Sequence, residues 1–375
     1  MKSFLRFFAE TIIGLLKFFY YRILSLRKLC FTTKYYAQRT YYPEYADHRK
    51  SKIRIWFEQF MNIMKYGYIN DFYFLYGFDI NGFRKQDEYV DYSEFRTRRN
   101  KLTRSLTVPV SILRNKYVFG MYCKSININT PTTIGFLSNE YLFLAEQQST
   151  LSIDKFLLEN NVDIFCKLID GECGQGVMHI ASSNGSIFVN NHPSDITSIK
   201  TLIGKGRFVV QQTISNQHHL LSNLFPNAVN TMRLVTIYDA NSAQCVVLPS
   251  PLLRVGCGDN IVDNWAVGGL IIGINDDGTL HKYGFYKPSK GTKVTTHPDT
   301  GISFEGYQIP YFQEAIEMAK RFHMNLPGIH SIGWDIAFTD NGPVFIEGND
   351  NWEISMPQCC ADRGIRKEFE HYFPK

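Results

Sequence analysis

Gly333-Trp334-Asp335-Ile336-Ala337 is followed by Val344-Phe345-Ile346-Glu347-Gly348-Asn349. The two stretches read as short apolar strands joined through Thr339-Asp340-Asn341-Gly342-Pro343, where the Asn-Gly step suits a hairpin. Residues two apart in a strand face the same side, so Glu347 and Asn349 point together. If the strands pair, Asp335 joins them and three oxygen-bearing side chains surround one point. Hard divalent cations such as Mg²⁺ favour that ligand set, with phosphates and water completing the shell. The other reading of one Asp and one Glu is a surface hairpin with solvated carboxylates. The apolar flanks argue for a cleft, where unpaired carboxylates would be costly. Metal ligation by Asp335, Glu347 and Asn349 is therefore the expectation.

The wording Ile332-Gly333-Trp334-Asp335 and Ile346-Glu347-Gly348-Asn349 resembles the ATP-grasp superfamily, and most closely its sugar-transfer-associated branch. The similarity runs from about Phe72 to about Asn351. It implies an α+β fold in which two lobes clasp ATP, here behind a mostly helical N-terminal extension. The implied division is a helical region over 1–95 with a basic amphipathic segment at 1–35, and a pre-grasp or linker lobe over 96–150. An N-lobe with a phosphate flap over 151–215 and a C-lobe with the metal site over 216–375 complete it. ATP and Mg²⁺ are the implied cofactors.

Composition sets wide bounds. The 375 residues are 44% hydrophobic, enough for a real core and against extensive disorder. A net charge of +5 does not point to nucleic acid. The basic bias lies at the start, where Lys2, Arg6, Lys17, Arg22, Arg27, Lys28 and Lys34 face only Glu10. The eight cysteines show no Cys-x-x-Cys pair, which argues against zinc and for reduced thiols in a cytosolic protein. Phe4 to Leu24 is rich in aromatic and aliphatic residues, but Arg6, Glu10, Lys17 and Arg22 interrupt it, so it is not a clean membrane span. It reads either as an interfacial helix on anionic lipid or as a helix packed on the protein's own body or on a partner subunit. Phe72 to Asp79 is an aromatic block that reads as packing.

Further along, Leu113-Arg114-Asn115-Lys116 opens a helix. The resemblance brings Lys116 to the nucleotide's phosphates; a solvated surface lysine is the alternative. Ile164 to Lys167 reads as a strand leading into Gly171-Glu172-Cys173-Gly174-Gln175-Gly176. Glycines such as Gly174 and Gly176 let backbone N–H groups approach phosphate oxygens, and Lys167 supplies charge. No Walker Gly-Lys-Ser/Thr is present. Phe208 to Ile214 resembles the hinge between lobes, so Gln211, Gln212, Thr213 and Ile214 are expected to line the base by backbone position more than by side chain. His218 and His219 read as solvent-facing or satisfied. Arg233, on an apolar strand, must find anionic partners, and the resemblance aims it at the terminal phosphate. Arg254 is placed similarly. Together they could offset charge on a transferring phosphoryl group, or bind Asp239 or Asp263 as structural ion pairs. Ala315, Ile316, Met318, Ala319 and Phe322 mark the inner face of a helix over Pro310 to His323.

The resemblance implies an ATP-grasp carboxylate–amine ligase acting through an acyl phosphate, which attaches an amino acid or amine in cell-surface polysaccharide biosynthesis such as capsule formation. The expected partners are a small-molecule or saccharide substrate carrying a carboxylate, an amine co-substrate, and proteins of a glycosyltransferase pathway, with peripheral membrane contact through residues 1–35 and no nucleic acid. The expected location is cytoplasmic, at or near the inner face of the membrane. The alternatives are an ATP-grasp phosphotransferase, differing in an acceptor region at Asp259 to Gly269 with His297, and a nucleotide-binding scaffold without turnover.

Overall fold

The computed structural model describes residues 2–31, 41–103, 107–171, 175–288 and 290–374. Two antiparallel sheets carry the molecule. The first contains β1 (Thr133–Ser138), β2 (Tyr141–Leu144), β3 (Ser149–Ser152), β4 (Val162–Leu168), β5 (Val177–Ser183), β6 (Ser186–Val189), β7 (His192–Ser194) and β8 (Arg207–Gln212), in the order β3-β2-β1-β8-β4-β5-β6-β7. β1 pairs with β8, so residues on both sides of the expected division at 150 share one sheet. The second sheet contains β9 (Thr231–Asp239), β10 (Gln244–Val247), β11 (Leu252–Val255), β12 (Leu270–Ile274), β13 (Leu280–Tyr286), β14 (Lys293–Val294), β15 (Ser331–Thr339) and β16 (Gly342–Asn349). Its order is β14-β13-β12-β11-β9-β15-β16, with β10 on β9.

The β15–β16 hairpin forms as the pattern predicts, but its turn is Asp340-Asn341, closed by the Thr339↔Gly342 pair. Gly342 adopts φ 102° at the start of β16, a left-handed value that an L side chain would resist. A bulge follows: Asp335 pairs with Glu347 while Ile336 pairs with Phe345, leaving Ile346 unmatched. Trp334 faces the core, stacked on Phe322 at 4.6 Å between centroids and edge-on to Phe345 at 5.5 Å. Its indole N–H donates to Thr236 Oγ1 at 2.8 Å. The covering helix, Phe312–Met324, buries Ala315, Ala319 and Phe322 as expected, and adds Phe312 and His323.

The N-terminal region contributes the helices Lys2–Phe31, Lys52–Tyr66 and Tyr92–Thr103. Within the aromatic block, Tyr73, Phe74, Tyr76 and Phe78 are buried in a cluster that continues into Leu252, Ile271 and Met356. The region is thereby docked onto the second sheet. The later half of the first helix rests on the body: Leu29 is buried, Ser25 Oγ donates to Gly67 O at 3.1 Å, and Lys28 pairs with Asp71 at 2.6 Å. On the other side of that helix Phe19, Tyr20 and Ile23 remain exposed. Among the described residues no helix is long and apolar enough to cross a membrane, and the seven described cysteines are free.

Because Trp334 is fully buried in a ring cluster, Trp334→Ala should cost about 3–5 kcal/mol of stability. Urea denaturation measures it; an unchanged midpoint would remove Trp334 from its place at the centre of this core.

Candidate functional site

The register of the second sheet assembles the site. Asp335 on β15 lies directly opposite Arg233 on β9 and Glu347 on β16, and directly opposed residues share a face. Arg233, Asp335 and Glu347 therefore form one row across three strands. Arg254 on β11 pairs with Thr231, two residues from Arg233, and so joins the same face. The row looks into a cleft of about 430 Å³ between the two sheets, which Lys116, Lys167, Gln211 and Asn349 also line.

Asp335 is buried and accepts from two guanidinium groups. Arg233 Nε donates to Oδ1 and Arg233 Nη2 to Oδ2 at 3.0 Å, while Arg254 Nη1 reaches Oδ2 at 2.8 Å. Burial alone would raise this carboxyl, but Arg233 and Arg254 outweigh it and hold it well below the usual range. Arg254 Nη2 also donates to Asp263 Oδ1 at 2.5 Å, and Asp263 accepts from Thr231 N at 3.0 Å. Of the two alternatives for structural pairing, Asp263 is the one realised. Asp239 instead accepts from Asn241 and Ser242 in its own turn. Arg254 Nε is buried without an acceptor among the described residues.

On the neighbouring strand Asn349 Nδ2 donates to Glu347 Oε1 at 3.1 Å, so the two side chains share one face as the spacing predicts. Lys116 heads the helix Lys116–Ser125, behind Asn115, which caps it by accepting from the N–H groups of Tyr117 and Val118. Its Nζ donates to Gly171 O at 2.6 Å and lies 3.6 Å from Glu347 Oε2. Lys167, at the end of β4, is pushed down to about 8 by burial, with Lys116 adding to the effect and Glu347 opposing it.

Gln211, Gln212 and Ile214 line the cleft, whereas the Thr213 side chain turns to Asp163 Oδ1 at 2.6 Å. Gly176, at φ 64°, lies between Gln175 and Val177, which do line it; Gly174 lies outside the described residues. His218 caps the helix His219–Leu224, and neither it nor His219 borders the cleft. Ile261 to Ala266 of the expected acceptor loop border it. His297 is buried behind them, its Nε2 2.8 Å from Gly256 O. Sequence reasoning missed the forked Arg114–Asp350 pair, at 2.9 and 2.6 Å, although Asp350 directly follows Asn349. It also missed Lys287 and Glu353, for which the sequence carries no signal.

A family model described as sugar-transfer associated ATP-grasp matches residues 97–372. The chain belongs to that family. Its two antiparallel sheets with a helical N-terminal region are the α+β ATP-grasp architecture that the motifs imply. Solved structures similar to this ATP-grasp chain include the L-amino acid ligase from Bacillus licheniformis, at 13% identity and a TM-score of 0.35, covering 67% of this chain and 43% of that one. N5-carboxyaminoimidazole ribonucleotide synthetase from Thermotoga maritima matches at 11% and 0.34, covering 70% and 49%. D-Alanine-D-alanine ligase from Helicobacter pylori matches at 12% and 0.36, covering 70% and 57%. The chain thus spans roughly half the length of these structures. No curated protein matches it.

The depressed Asp335 carboxyl adds stability that is present above its unfolded value of about 3.9 and lost as pH falls further. Asp335→Asn should cost about 3–5 kcal/mol at neutral pH, because two buried guanidinium groups lose their partner. It should also flatten the decline in stability below pH 4. Denaturation at pH 7 and pH 3 measures both; an unchanged acid limb would overturn the assignment.

Proposed function

We propose that the protein is an ATP- and Mg²⁺-dependent ligase that joins a carboxylate to an amine, working on a saccharide or related precursor in cell-surface polysaccharide biosynthesis. The observation that carries this reading is the Arg233–Asp335–Glu347 row facing the cleft with Arg254, Lys116 and Lys167 around it. At that point four cations stand against the carboxylates of Asp263, Asp335 and Glu347. Cations gathered around central carboxylates suit a polyphosphate that arrives with a divalent cation.

The donor set fits such a cation. Glu347 offers carboxylate oxygens, and Asn349, donating through Nδ2, keeps its carbonyl oxygen as a ligand. Three of about four lone-pair sites on Asp335 are taken by guanidinium N–H groups, which leaves room for one more contact. A divalent ion held there would neutralise phosphate charge. Arg233 and Arg254, fixed by Asp335 before any substrate arrives, present positive charge without reorganisation. Lys116, from a helix packed on the second sheet's core through Phe119 and Cys123, and Lys167, from the first sheet, hold phosphate oxygens, and Gln211, Gln212 and Ile214 border the base. In the overall reaction a carboxylate oxygen attacks the terminal phosphorus and ADP leaves. The amine then attacks the acyl carbon and phosphate leaves.

The proposed location is the cytoplasmic membrane surface. Phe19 and Ile23 are exposed beside Lys17, Arg22 and Arg27, and the helix Lys52–Tyr66 adds exposed Ile53, Phe57 and Met61, a composition suited to anionic lipid.

Glu347→Gln and Asn349→Ala should abolish ADP release while leaving the denaturation midpoint near wild type, since neither removes packed volume. Turnover at the wild-type rate in either variant would refute the metal assignment. Lys167→Ala should weaken ATP binding about tenfold to a hundredfold. Wild-type affinity should fall as pH rises past about 8, where the free lysine loses its proton; calorimetry at pH 7 and 9 decides, and a pH-independent constant contradicts it. Phe19→Glu with Ile23→Glu should release the protein from anionic vesicles without changing ATP affinity. Indifference of the wild-type chain to such vesicles in a flotation assay would discard the membrane surface.

A further inference from the structure

A second cavity, about 550 Å³, adjoins the cleft, and Lys287 and Glu353 line both. Its outer wall comes from Tyr68, Phe72 and Asp91, upstream of the segment 97–372 that the family model matches. The partition is aromatic: Phe72 stacks on Trp265 with centroids 6.1 Å apart and planes 13° from parallel, and Trp265 borders the cleft.

Most charges around this cavity are already satisfied. Asp71 pairs with Lys28 at 2.6 Å, and Asp91 accepts from the Tyr68 hydroxyl and from Ser93 N at 2.8 Å. The two residues on the shared wall differ. The Lys287 ammonium has no ion pair or hydrogen bond among the described residues, and its contact is the Trp265 ring at 6.0 Å. Glu353 accepts only from Ser355 Oγ, at 2.5 Å, and forms no ion pair with Lys287 or any other described residue. Both are half-buried. Opposite charges held apart on one partly desolvated wall leave each in need of a counter-charge.

We propose that this second cavity is the amine-substrate subsite and that it takes the zwitterion of an α-amino acid, a reading that rests on the ligase function above. Lys287 receives the α-carboxylate and Glu353 accepts a hydrogen bond from the α-ammonium. This sets the reacting nitrogen on the wall that the cavity shares with the cleft, and the side chain lies against Phe72 and Tyr76. A ligand with a single charge satisfies one of the two groups and leaves the other unpaired, so the wall selects for both charges together.

The experiment uses the full chain with Mg²⁺ and ADP, and saturation-transfer NMR against the common α-amino acids in both enantiomers. The amino acid that binds is then compared with its decarboxylated amine and its deaminated acid. Each analogue should bind at least about tenfold more weakly than the zwitterion. Lys287→Ala should erase the preference over the amine, Glu353→Gln the preference over the acid, and Lys287→Arg should retain both. Absence of binding by every amino acid overturns the proposal, as does binding indifferent to Lys287→Ala and Glu353→Gln in variants that still bind ADP. Calorimetric titration with ADP and Mg²⁺ alone reports separately on the nucleotide reading. Its failure beside intact zwitterion binding would strike the ligase reading and leave a zwitterion site that is not an amine-substrate subsite.

Discussion

A carboxylate buried at the centre of a sheet has to be matched, and Asp335 is matched by two arginines from two different strands. Breaking such a set leaves an uncompensated charge in a poorly solvated place. The register of β9 against β15, the approach of β11 to β9 and the position of Asp263 are all tied to this one arrangement. It also fixes what faces the cleft: guanidinium groups anchored from behind cannot collapse onto other acceptors.

The bulge at Ile346 is the second constraint. Phe345 belongs to the core, packed edge-on to Trp334. With regular alternation Glu347, two residues on, would point into that core. The unmatched Ile346 shifts the phase by one residue, so Glu347 and Asn349 reach the cleft while Gly348 returns to the core side. A Cβ at Gly348 would approach the Trp334 ring to 2.8 Å, which accounts for glycine in the middle of Glu-Gly-Asn.

The N-terminal region is more than an attachment. Its buried aromatic cluster is continuous with Leu252 and Ile271 of the second sheet and with Met356, so the wall it builds around the second cavity is held against the cleft. The first helix divides its labour by face, with Leu29 in the core and Phe19 and Ile23 outside.

Local chemistry made part of this readable in the sequence. The hairpin, Glu347 and Asn349 on one side, the strand carrying Lys167 and the helix headed by Lys116 follow from period and capping, which act over a few residues. The family wording around Asp335 and Glu347 placed the α+β fold. Other features depended on which strands became neighbours. Asp335 reads in sequence as a metal ligand, yet its main contacts are Arg233 and Arg254, 102 and 81 residues away in the chain. His297 went beneath the loop it was expected to join, because the direction of a loop side chain is set by packing. Lys287 and Glu353 carry no motif at all. The sequence by itself determined the elements and their chemistry; tertiary structure decided which charges meet, since pairing across a sheet is settled by register and not by distance along the chain.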